Sequence, residues 1–164
     1  MSNSRAQGLA IPLGLVLALL GASAQAGLGR PLADAAQDGK PVAQVQRFSA
    51  QATAGAASGA AAAVSMQTVQ TPQGVTITEY ANAAGTVFAL TWKGPFKPDL
   101  QQLLGSYFAP YVKAANAQTQ QLNLSMVKTD AIVVHVAGRM RGFVGVAWVP
   151  TLVPAGFDPS QLQP

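Results

Sequence analysis

Two stretches of alternating apolar and polar residues flank one stretch with a helical repeat. Val64, Met66, Thr68 and Gln70 point one way, and Ser65, Gln67, Val69 and Thr71 the other, which predicts a first strand. Pro72-Gln-Gly74 supplies a turn, because Pro fixes φ and Gly permits its positive values. Strand periodicity then resumes, with Val75, Ile77 and Glu79 on one face and Thr76, Thr78 and Tyr80 on the other. Asn82-Ala-Ala-Gly85 connects to a strand over 86–92 in which the heavier even positions, Phe88, Leu90 and Trp92, face the core. Gly94-Pro95 stops it.

The period changes beyond Pro98. Leu100, Leu103, Leu104, Tyr107, Phe108, Tyr111 and Val112 recur at spacings of three and four, predicting an amphipathic helix. Pro98 suits its first turn, Asp99 its positive end, and Pro110 should kink the helix or restart it. A strand over 122–128 follows, then a hairpin turning at Gly138-Arg-Met-Arg-Gly142. There Val144, Val146 and Trp148 are expected to share a core face with Ile132, Val134 and Val136. The fold class expected from this order is α+β, an antiparallel sheet of five or six strands packed against one main amphipathic helix.

Outside this core the pattern fades. Residues 27–63 have few large apolar side chains and end in an Ala-rich run interrupted by Gly55 and Gly59, so they read as a flexible amino-terminal segment. Residues 64–157 form the single domain, and 158–164 read as a carboxy-terminal tail with at most one helical turn. Residues 1–26 place Arg5 before an apolar run and end in Ala24-Gln-Ala26, the order of a secretory signal peptide cleaved after Ala26. The run is shorter than the roughly 20 residues a spanning helix needs, so no integral span is expected after cleavage. The expected location is periplasmic or secreted.

Charge and cysteine content narrow the classes of function. Ten basic and six acidic residues give a net charge of +4. The cations are scattered along the chain rather than concentrated in a basic segment, which argues against nucleic acid and supports at most weak attraction to an anionic envelope surface. With no cysteine, disulfides, thiol catalysis and thiolate metal sites are excluded.

The run Glu79-Tyr80, Gly85-Thr-Val-Phe-Ala89, Trp92, Gly94-Pro95, Pro98-Asp-Leu100, Leu103-Leu-Gly105 and Tyr107-Phe108 resembles the bacterial family catalogued as domain of unknown function 2844. The Gly138–Gly142 motif, Trp148-Val-Pro150 and Val153-Pro154-Ala-Gly156 look like its later pattern. The resemblance takes in Gly27-Leu-Gly29 and omits the Ala-rich run. It implies a small exported proteobacterial protein and brings no activity, cofactor or catalytic residue.

Candidate chemistry is sparse. His135, the one histidine, lacks a neighbour in sequence that would make a dyad or a metal site, so no metal, cofactor or catalytic residue is assigned. Glu79 could pair with Arg139 or Arg141, a geometry that usually fixes structure rather than performs chemistry. Arg139 and Arg141 could cradle an anion, although Gly138 and Gly142 already have a turn role. Trp92, Phe96 and Tyr111 could line an apolar groove, with core packing as the plainer role. The candidate binding residues are therefore Glu79, Trp92, Phe96, Tyr111, Arg139 and Arg141. The reading favours a noncatalytic envelope binding or accessory protein whose partner is an envelope protein, a glycan or an apolar ligand. Its alternatives are a small hydrolase using Glu79 or His135, and a structural accessory in surface assembly or secretion.

Overall fold

The computed structural model describes residues 27–33, 40–49, 63–117 and 124–164. Its main element is a seven-stranded sheet: β1 (Lys40–Ser49), β2 (Ala63–Gln70), β3 (Thr76–Ala81), β4 (Val87–Gly94), β5 (Leu124–Lys128), β6 (Val133–Arg139) and β7 (Gly142–Trp148). The order across the sheet is β1-β2-β3-β4-β7-β6-β5, with every neighbour antiparallel. Two meanders therefore meet where β4 pairs with β7. The chain passes from β4 to the far edge through α1 (Leu100–Leu104), a 3₁₀ turn (Gly105–Tyr107) and α2 (Phe108–Asn116).

This corrects the expected five or six strands on one main helix. The additional strand is β1, inside the segment read as flexible. An edge strand is held by backbone pairing along one neighbour, so it needs no run of alternating large apolar residues to announce it. Pro41 is tolerated there because an edge strand can spare a donor. The helical stripe is real but broken at Gly105, whose φ of 52° and ψ of −124° end α1. Pro110 then falls in the first turn of α2, where its missing N–H costs no intrahelical bond. Asp99 is the N-cap of α1, accepting from Gln101 N at 2.9 Å and Gln102 N at 3.2 Å, which leaves Pro98 outside the helix.

Alternation gives the sheet two buried faces. On the helical side Val69, Ile77, Leu90, Trp92, Val134 and Ala147 pack beneath Leu100, Leu103, Leu104 and Tyr111. The segment at 27–33, also within the stretch read as flexible, closes this core: Leu28 is buried, Gly29 N donates to Val87 O at 2.8 Å and Leu28 N to Leu103 O at 3.1 Å. A side chain at Gly27 would lie 2.8 Å from Leu103 O, so glycine is needed for this approach.

The second face carries a smaller core of Val64, Phe88, Ala89 and Leu162, with Tyr80, Trp148 and Phe157 packed on it. Two expectations change here. A bulge places Tyr80 opposite Ala89 and Ala81 opposite Val87, skipping Phe88 and turning it away from Leu90 and Trp92. Val144, Val146 and Trp148 pair with Ala137, His135 and Val133, so they lie on the face opposite Val134 and Val136. The tail read over 158–164 is also part of this core, because Leu162 is buried and Asp158 caps the short turn Pro159–Gln161.

Candidate functional site

Two grooves flank the loop between β4 and α1. The first, about 520 Å³, lies between the β2–β3 turn (Thr71, Pro72, Gln73) and Phe96-Lys97-Pro98, with Val75, Ile77 and Leu103 also lining it. The second, about 440 Å³, lies on the other side of Lys97-Pro98-Asp99, against Phe108, Tyr111 and Val112 of α2. Both fall within the size range of small-molecule sites.

The walls are held by local chemistry. Thr71 N donates to Val75 O at 2.9 Å, and Val75 N to Thr71 Oγ1 at 3.1 Å, which closes the β2–β3 turn. Gly94 allows the two walls to approach, since a Cβ there would stand 2.8 Å from Val75 Cα. Asp99 spends one carboxylate oxygen capping α1. Among the described residues, Lys97 and Asp99 are the acid and base side chains lining the first groove. Among the described residues no three His, Cys, Asp or Glu side chains gather as metal ligands. The described lining residues offer apolar contact and hydrogen bonding.

The candidate residues disperse. Phe96 is 59% exposed and lines the first groove; Tyr111 lines the second while only 8% exposed. Trp92 is 1% exposed, and a Cβ added at Gly145 would overlap its ring, so it is a core residue lying over the backbone of β7. Glu79 is 1% exposed on the helical face of β3, in register with Gln67 and Leu90. Arg139 and Arg141 are exposed at the β6–β7 turn.

Strand register sets Glu79 far from Arg139 and the β6–β7 turn that carries Arg141. Glu79 shares a row with Leu90, Ala147 and Val134, whereas Arg139 is five residues further along β6. That is about 16 Å along the strands and three strand spacings, about 14 Å, across them. Glu79 and His135 occupy opposite faces, with the sheet between them. His135 meets the Trp148 ring edge to face, 5.2 Å between centroids, and burial lowers its pKa. Sequence reading missed Thr71, Pro72 and Gln73 as groove residues. Their turn signal was visible, but only the pairing of β3 with β4 brings that turn beside Phe96.

The family model for a protein of unknown function, DUF2844, matches residues 24–162. The chain belongs to this family. No curated protein and no solved structure matches it. The match spans Gly27, Gly94, Phe96 and the carboxy-terminal segment, so the family region contains both grooves and both faces of the sheet. No helix among the described residues is long and apolar enough to cross a membrane.

Proposed function

We propose that this DUF2844 protein is an exported, noncatalytic binding or accessory protein of the cell envelope, with the Phe96 groove as its ligand site. One observation carries the reading: a phenyl ring 59% exposed on the wall of a groove of about 520 Å³. An apolar ring kept in water at a concave site has more to gain from a ligand than from the fold. Phe96 and Pro72 offer flat apolar surface, while Gln73 supplies an exposed amide. That combination suits a glycan, whose sugar rings present C–H faces and hydroxyls together. The alternative of a hydrolase using Glu79 or His135 gains nothing from the two grooves, since neither residue lines them.

Export is part of the same proposal. Its support is the sequence pattern, Arg5 before an apolar run that ends in Ala24-Gln-Ala26. Calorimetric titration of neutral oligosaccharides into the chain from Gly27 onward tests the binding reading. Phe96→Ala should weaken binding about tenfold, the combined loss of stacking and apolar contact. Equal affinity in the variant, or no binding by the wild type, overturns the glycan assignment. Fractionation of cells expressing the full chain tests export, and uncleaved protein confined to the cytoplasm overturns it.

A further inference from the structure

The described residues cover the sheet face opposite the helices only in part. Phe157, Leu162 and their neighbours pack over Val64, Phe88, Ala89 and Trp148. Towards the β6–β7 turn the same face carries Leu124 and Met126 on the edge strand β5, 47% and 53% exposed. Strand register puts Lys93, Val144, Ala137 and Leu124 in one row, with Arg139 beyond it on the same face. At the end of the hairpin Met140 is 99% exposed between Arg139 and Arg141. Arg141 holds a φ of 60°, which closes the turn between paired Arg139 and Gly142 and keeps Met140 at its apex.

We infer that this hairpin end and the adjoining face form a docking surface for an anionic phospholipid bilayer. Charge complementarity selects the partner. Lys93, Arg139 and Arg141 border the patch, while the described acids lie elsewhere: Glu79 on the other face, Asp99 at α1, Asp130 in the β5–β6 turn at the far end of the sheet, and Asp158 in the carboxy-terminal segment. A second copy laid face to face would set these cations against their own kind, which is unfavourable. Nucleic acid would want exposed stacking rings, and Trp148 is half-buried beneath the carboxy-terminal segment. Met140 distinguishes a bilayer from an acidic polypeptide. An apolar side chain with nothing around it is buried only by entering its partner, and arginines beside it can reach phosphates as it does so.

This surface is separate from the Phe96 groove, whose lining includes none of these residues. The test is co-sedimentation of the chain from Gly27 onward with phosphatidylcholine vesicles, with and without phosphatidylglycerol, at low and high salt. Retention should require phosphatidylglycerol and fall with salt. Arg139→Gln combined with Arg141→Asn should weaken it about twenty-five-fold, at about fivefold per cation, and Met140→Ser should weaken it severalfold. Asn tolerates positive φ, so the turn is preserved. Both variants should keep the wild-type melting temperature and the wild-type oligosaccharide titration, which separates failure here from failure of the groove proposal. Equal retention on neutral vesicles, no retention on either, or retention unchanged in both variants overturns the inference. So does binding to polyglutamate that matches vesicle binding and ignores Met140→Ser.

Discussion

His135 shows how a single side chain on this sheet couples burial to pH. It is half-buried against Trp148, and desolvation holds its pKa below the ordinary 6.5. The folded state therefore favours the neutral ring, while the unfolded chain takes up a proton first as pH falls. Its contribution to stability is complete above the unfolded pKa of about 6.5 and is lost as pH drops through the lower folded value. Melting the wild type and His135→Gln at about pH 7.5 and about pH 5.5 should show a larger acid loss in the wild type, with the difference assigned to this ring. An identical acid loss in the two proteins would remove the histidine from the account. Its place among apolar strand residues was legible in sequence. Which ring it would touch was not, because Trp148 comes alongside only when β7 turns back on β6.

At the scale of elements, the central contact is between β4 and β7. Trp92 and Gly145 are register partners, and a Cβ on Gly145 would come within 2.1 Å of the indole Cζ2. The missing side chain on β7 is thus the space that the largest side chain on β4 occupies. Gly145→Ala should destabilise the protein by about 1–3 kcal/mol, the usual cost of overpacking a filled core. Trp92→Leu should lose stability alone yet recover part of it when combined with Gly145→Ala. Denaturant unfolding of the double-mutant cycle measures that coupling, and strict additivity would show that the two sites are independent. The alternation of β7 was plain in sequence, but its orientation was misread. Val146 and Trp148 are larger than Gly145 and Ala147, and size points to the core only when one face of a sheet is buried. Here both are, and the helical face needed the smaller set beside Trp92.

The second face makes the molecule more than a sheet covered by helices. Its core depends on the last residues, with Leu162 buried and Phe157 set edge to face on Phe88 at 5.0 Å. Leu162→Ala should therefore lower stability by about 2 kcal/mol or more, the cost of a cavity beneath a buried leucine. A loss below a few tenths, read from denaturant midpoints, would return the segment to the status of a tail. By itself the sequence determined the antiparallel hairpins, the break between β4 and α1, the acidic charge of Asp99 at the positive end of α1 and the absence of thiol chemistry. Each of these rests on neighbours in the chain or on composition. Tertiary structure alone decided that β1 completes the sheet, that the bulge turns Phe88 away from Trp92, and that Glu79 lies far from Arg139 and on the other side from His135. It also decided that Phe96 stands open beside the β2–β3 turn. Those outcomes depend on strand order and register, which join residues distant in the chain through contacts that no local period encodes.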